Sequence, residues 1–362
     1  NSTLSSGTAG TTILSSQSGN TIGLGTTGNM TLDNTELGNI IASSLTIGDG
    51  TNGNITVDGV TSASSDQFGA LTLNATASAS SVTFGTTDSF FQGLAVNAGD
   101  GITLSSSLTT NGTTTFNSDS NSTDTGSFTI DSLKTLNTTN NALTITSKNM
   151  SLNTNGAINS GTAESTLQVS QSGDTIGLGG GAGTFSLNSN DLAQITAGGL
   201  TIGSADNGTI TVDGVTSTST PLTLIANSGA SAVNFSSNAS SFGNLTVDTG
   251  TGGVGFGVNV STANLTVASG GAVNFGGDLT TTGNLNVTSG GAITDTGTLL
   301  VDGTSSFTTN VADQAITLDS TSSSFTSTVS LNTIGTGDAT LISDNAVTLS
   351  TSTVGRDLNV TV

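Results

Sequence analysis

Apolar residues alternate with small polar ones in short bursts along the chain: Leu245 and Val247, Leu265 and Val267, Val273 and Phe275, Leu285 and Val287, Leu299 and Val301. A period of two places these residues on one side of an extended strand and makes no helical face. Gly, Ser and Asn cluster between the bursts, where tight turns need positive φ or side chains that cap the backbone. The bursts repeat as well. Gly243-Asn244-Leu245-Thr246-Val247 returns as Ala263-Asn264-Leu265-Thr266-Val267 and as Gly283-Asn284-Leu285-Asn286-Val287, a shift of about twenty residues. Three short strands joined by turns in each period describe one coil of an all-β parallel β-helix, or β-solenoid. Leu, Val, Ile and Phe stack inward, and Thr, Ser and Asn form outward ladders. At the ordinary interstrand spacing about eighteen such coils make a rod on the order of 85 Å long.

A larger repeat overlies the coil period. Gln17-Ser18-Gly19-Asn20-Thr21-Ile22-Gly23-Leu24-Gly25 recurs as Gln171-Ser172-Gly173-Asp174-Thr175-Ile176-Gly177-Leu178-Gly179, Leu45 to Gly48 as Leu200 to Gly203, and Ile55 to Ser62 as Ile210 to Ser217. Residues 13–100 and 166–250 therefore read as two copies of one multi-coil block. The soft boundary falls near residue 160, within one continuous solenoid over residues 1–362. Coil edges between 100 and 160 are blurred by Thr and Asn. One segment of each copy departs from strand. Residues 34–41 and 189–195 set a capping residue before an acid, then Leu37 with Ile40 and Leu192 with Ile195 three apart, which predicts a short helical protrusion. Pro221 opens the strand at Leu222, where its missing N–H is tolerated.

Composition narrows the function. Hydrophobic residues are 32% and charged residues 7% of the 362, with 50 Gly, 13 Phe and no Trp, Tyr, Cys or His. Low charge with a mean hydropathy of +0.10 argues for a folded chain with a thin core spread along its length. The net charge of −21 comes from 24 acids against Lys134, Lys148 and Arg356. Nothing is available to neutralise a run of phosphates, and anionic membrane surfaces are disfavoured. Without Cys there is no disulfide framework or thiolate metal site. No apolar run reaches about 18 residues and no basic leader is present, so an export signal or anchor is expected to lie outside this chain.

Thr175 to Gly179 continuing through Asn190-Asp191-Leu192-Ala193-Gln194-Ile195-Thr196-Ala197-Gly198-Gly199-Leu200-Thr201-Ile202-Gly203, with the coils at 243–301, resembles the repetitive regions of filamentous-haemagglutinin-like and autotransporter-like bacterial adhesins. The resemblance implies a right-handed parallel β-helix, export to the cell surface and a stalk or adhesive role. It implies no catalytic residue.

Polysaccharide-cleaving chemistry needs converging carboxylates, usually with basic partners. Asp119 with Asp124, or Asp58 with Asp213, are the candidate pairs, set against the commoner reading of solvated turn acids. Calcium is a weak candidate at residues 48–53 and 119–124, where Asp and Asn supply hard oxygens, although Asp-Gly and Asn-Gly are ordinary turn formers. Sequons are numerous, including those at Asn29, Asn74, Asn137 and Asn264, because the chain is rich in Asn, Ser and Thr. The chain is therefore expected not to be an enzyme, with no catalytic, cofactor-binding or metal-ligating residue assigned. It reads as an extracellular structural or adhesive solenoid. A carbohydrate- or receptor-binding adhesin is the alternative, and a polysaccharide-degrading enzyme ranks below it. Expected partners are a second copy end to end, other surface or matrix components, or glycans.

Overall fold

In the computed structural model, which describes residues 2–216 and 220–362, the alternation of the sequence becomes parallel strands stacked coil on coil. The protein is nearly all-β, a β-solenoid of about 14 turns with few short helices. It divides into two compact units, Asn1–Gln171 with Asn190–Gly199 and Ser172–Ser189 with Leu200–Val362.

The second unit shows most plainly how the pattern makes the core. On one face Leu222, Leu245, Leu265 and Leu285 pair in register, and two residues further on Leu224, Val247, Val267, Val287 and Phe307 do the same. All nine are buried, while Thr223, Thr246 and Thr266 between them lie on the outer side of the pleat. A second face stacks Val233, Val254, Val273 and Ile293 beside Phe235, Phe256 and Phe275. The third carries Val260, Leu279 and Leu299. Each fully buried aliphatic or Phe side chain contributes roughly 1.5–3 kcal/mol, and like residues stacked at one spacing fill the interior without mismatched volumes. The first unit repeats the scheme. Leu73, Val96, Phe116, Ile145 and Leu167 form one of its files, and Pro221 of the second unit immediately precedes the strand Leu222–Ala226, as its chemistry requires.

From Asn244 to Thr304 each coil takes twenty residues. At other steps the rise from one coil to the next takes more: 22 from Thr146 to Gln168, 28 from Ser118 to Thr146, and 36 from Ser160 to Thr196. The twenty-residue period is that of unbroken coils, and the extra residues go into protruding turns. That is why about 14 turns are formed and not eighteen.

The helical turns are among these protrusions. Helix α1 (Asn34–Leu37) is capped by Asp33, one residue before the Asn that the sequence suggests. The Glu36 N–H donates to Asp33 Oδ1 at 2.8 Å, and the Asp33 N–H donates to Glu36 Oε2 at 2.9 Å, a reciprocal capping box. Helix α2 (Ser62–Ser65), capped by Thr61, is an addition to the expected elements; the counterpart of its first residue, Ser217, lies outside the described residues. Helix α3 (Ser189–Ala193) occupies the second predicted segment. Leu37, Ile40, Leu192 and Ile195 are all buried, but both helices stop short of residues 41 and 195. The chain resumes as strand at Ile40 and Ile195, where β-branched residues favour the pleat.

The repeated Thr-Ile-Gly-Leu-Gly encodes a feature of its own. The strand Ile22–Leu24 pairs in parallel with Ile55–Val57 of the next coil, and on its other edge with Met30–Leu32. Parallel neighbours ordinarily need a crossover of about a dozen residues, yet residues 25–29 alone make this one. The loop closes by lying flat over its own strand. A Cβ on Gly23 would stand 2.5 Å from the Thr26 carbonyl oxygen, and in the second copy a Cβ on Gly177 would stand 2.1 Å from that of Gly181. There too, Ile176–Gly179 lies between Phe185–Leu187 and Ile210–Asp213. Gly177→Ala is expected to destabilise the second unit by about 3 kcal/mol by forcing the loop off the strand; a urea midpoint equal to the parent's would refute the flat-loop account.

Candidate functional site

Where faces meet, Asn and Asp side chains point along the stack and hold the next coil. Asn264 Nδ2 donates to Asn244 Oδ1 at 2.8 Å, the Asn284 N–H to Asn264 Oδ1 at 2.8 Å, and the Thr304 N–H to Asn284 Oδ1 at 2.9 Å. At another corner the Asp278 N–H donates to Asn259 Oδ1 at 3.0 Å, and the Thr298 N–H to Asp278 Oδ1 at 2.8 Å. Hydroxyls do the same work from inside. Ser269 Oγ donates to the Gly252 and Gly271 carbonyls, and Ser289 Oγ to those of Gly271 and Gly291. The recurring Ser-Gly-Gly-Ala thus places a buried hydroxyl against turn carbonyls, of which those of Gly252 and Gly271 also accept the N–H groups of Gly271 and Gly291.

The candidate acids follow this corner rule. Asp58 accepts the Thr87 N–H at 2.7 Å and the Thr86 hydroxyl at 3.3 Å. Burial pushes the Asp58 carboxyl up, but the donors of Thr87 and Thr86 together outweigh it, so it sits below the usual carboxylate range. Asp213, its counterpart in the second copy, accepts from the Asn238 N–H at 2.9 Å and Asn238 Nδ2 at 2.8 Å. Each of these acids is engaged within its own unit. Asp119 is 1% exposed and accepts from the Thr123 N–H at 3.1 Å, Ser170 Oγ at 2.7 Å and Gln171 Nε2 at 3.3 Å. Asp124 is exposed on the same loop and ion-paired with Lys148. The structure therefore brings Asp119 and Asp124 into one turn but gives them separate structural partners.

The loop at 48–53 is an Asx turn. Asp49 Oδ1 accepts the N–H and hydroxyl of Thr51 at 2.7 and 2.8 Å, and Asn52 Oδ1 accepts the Asp49 N–H at 2.6 Å. The Thr51 donors hold the Asp49 carboxyl below its ordinary range. In the second copy Ser204 stands in place of Asp49, and Asn207 closes the same turn onto the Ser204 N–H. A loop that keeps its shape when the acid becomes a serine is built by its own hydrogen bonds. Among the described residues no group of three or more acids, His or Cys gathers as a metal cluster would. The carboxamides of four of the sequons are tied in as well: Asn29 to Thr21, Asn74 to Asn97, Asn137 to the Thr139 N–H, and Asn264 within its ladder.

Asp295 is the acid that the sequence reading passed over. It follows Phe275 in the inward file of the second face and is 3% exposed. Its Oδ1 accepts the N–H groups of Asp319 and Ser320 at 2.8 and 3.3 Å, while Oδ2 has no partner among the described residues. Burial pushes this carboxyl above the usual range, and the charge of Asp319 adds to the push against those two donors. The signal was readable, since Ile293-Thr294-Asp295 aligns with Val273-Asn274-Phe275 and so puts an acid in an inward slot.

Two shallow grooves open on the surface. One of about 600 Å³ is lined by Leu4, Ile13, Leu32, Asp33, Glu36 and Ile40 beside α1. The other, of about 300 Å³, runs along the third face of the second unit past Asn259, Asp278, Thr298 and Leu300. The acids in both grooves are those of the α1 capping box and the corner ladder.

These coils and corners define a repetitive β-strand protein with a β-solenoid fold. Residues 262–332 match a family described as repeats of unknown function (DUF5649). No curated protein and no solved structure matches the chain.

Proposed function

We propose that this chain is a non-enzymatic structural segment of an extracellular or bacterial cell-surface fibre, a solenoid spacer whose reach is set by its number of coils. One observation carries the reading: the corner acids Asp58, Asp119, Asp213 and Asp278 are spent on joining one turn of chain to another. A net charge of −21 keeps weakly charged faces apart in solution and turns away nucleic acid. The partners are a second copy meeting end to end, or other surface and matrix components. Electron microscopy of the purified chain at rising concentration tests this. Separate elongated particles identify a spacer, and filaments identify a fibre subunit. Compact particles would defeat both, and release of polysaccharide products that is lost in Asp119→Asn would move the chain to the enzymes.

The fold is also compatible with an adhesive role, and the groove beside α1 supports that second reading. Glycan-array binding abolished by removing residues 34–37 would favour it over the spacer.

A further inference from the structure

Asn followed by Gly occurs at residues 52, 111, 155 and 207, and the fold treats these pairs differently. Asparagine next to glycine is prone to cyclise, because the following amide nitrogen meets little steric hindrance in attacking the side-chain carbonyl carbon. The attack requires a mobile carboxamide and an amide N–H that is not committed elsewhere. Asn52 and Asn207 fail on both counts. They are 1% and 0% exposed, and their Nδ2 atoms donate to the Gly53 and Gly208 carbonyls at 2.7 and 2.8 Å. The N–H groups of Gly53 and Gly208 are themselves given to Asn20 and Asp174 at 2.9 and 2.7 Å. At Asn155 the Gly156 N–H is given to the Asn153 carbonyl at 2.5 Å. Asn111 is exposed. Its backbone N–H holds the Phe91 carbonyl at 3.0 Å, but neither its carboxamide nor the Gly112 N–H has a hydrogen-bond partner among the described residues.

We infer that Asn111–Gly112 is a site of spontaneous deamidation, selected by the fold from four chemically similar pairs. The Gly112 nitrogen loses its proton and bonds to Asn111 Cγ, the Cγ–Nδ2 bond breaks, and ammonia leaves. Water then opens the succinimide at either carbonyl, giving aspartate or isoaspartate with no change of oxidation state. Both products put a new carboxylate on the turn between the strands Leu108–Thr110 and Thr114–Asn117. The isoaspartyl form also adds a methylene to the main chain. There is little room for it, since even a Cβ on Gly112 would stand 2.6 Å from the Gln92 carbonyl oxygen. The modification changes the charge and fit of one corner with time alone, without any enzyme.

The test is peptide mapping by mass spectrometry, with isoaspartate detection, on the full chain aged at mildly alkaline pH, beside the same chain held unfolded in urea. In the folded chain, conversion at Asn111 is expected to run about tenfold or more ahead of Asn52, Asn155 and Asn207, a difference worth about 1.4 kcal/mol in barrier. In urea the four should convert at similar rates, and Asn111→Gln should remove the folded-state signal. A folded chain in which any of the other three keeps pace, or in which Asn111 stays intact while the unfolded control converts, overturns the assignment.

Discussion

Phe256→Ala is expected to cost the second unit about 4 kcal/mol, within the usual range for emptying a buried Phe site. The Phe256 ring lies between those of Phe235 and Phe275, with centroids 4.7 and 5.0 Å away and planes within 11° and 10° of parallel. It is 1% exposed. Removing it leaves a cavity that its neighbours cannot fill, because both rings are held by strands locked in register on either side. It also removes two stacking contacts, each worth about 0.5–1.5 kcal/mol beyond buried area. Coils of a solenoid touch only their neighbours, so the loss should appear first as fast hydrogen exchange in the strands around residues 233–275. Urea unfolding of that region measures it, and a change below about 1 kcal/mol would show that the rings are not tightly packed.

The second large effect is at Asp295, and its sign is opposite to that of Asp49, Asp58, Asp313 and Asp338. Because burial raises its pKa in the folded chain, the folded state holds this proton to a higher pH than the unfolded state does. The stability it contributes is complete below the unfolded carboxylate value of about 3.9 and is lost as pH rises through the folded value. Among the described residues the charge that acts on it is that of Asp319, which directly follows the strand Ile316–Leu318. Asp295→Asn keeps an acceptor for the Asp319 and Ser320 N–H groups and cannot ionise. Its thermal midpoint should therefore gain on the parent's as pH rises from about 4 through the folded value. A constant gap across that span would dispose of the idea. Asp49, Asp58, Asp313 and Asp338 are held below the ordinary range, so their smaller contributions are present at neutral pH and fade as it falls toward the folded values.

The alternation at Leu265 and Val267, or Val273 and Phe275, was enough to place faces and interior, because a period of two leaves only one side of a strand to bury. Within the repeated segments Asn34 and Ser189 reach the carbonyls of Gly59 and Gly214 from matching positions. Three things were hidden. The return strands at Met30 and Phe185 could not be read, because their loops violate the usual length of a parallel crossover and succeed only through the close approach at Gly23 and Gly177. The number of turns was overestimated because several steps, such as the 28 residues after Ser118 and the 36 after Ser160, spend residues on protruding turns that Thr and Asn do not distinguish from strands. The corner role of Asn244, Asn264 and Asn284 was concealed for a different reason: the repeated letters mark the position, but the bond runs to the neighbouring coil and has no trace along the chain.

The ladder through these asparagines bears on how such a molecule can change its size. Asn264 meets Asn284 much as Asn244 meets Asn264, and the step is twenty residues each time. Excising one whole coil, such as residues 264–283, brings Asn284 against Asn244, with Leu285 beside Leu245 and Val287 beside Val247. On this face and at this corner each donor and apolar side chain then finds a partner of the same kind, while on the second face Phe256 exchanges Phe275 for Asp295. A cut that shifts these strands by one residue would leave inward residues facing water. Genetic gain or loss at this stretch is therefore tolerated in whole coils, and kin of this protein should differ in length by multiples of one turn.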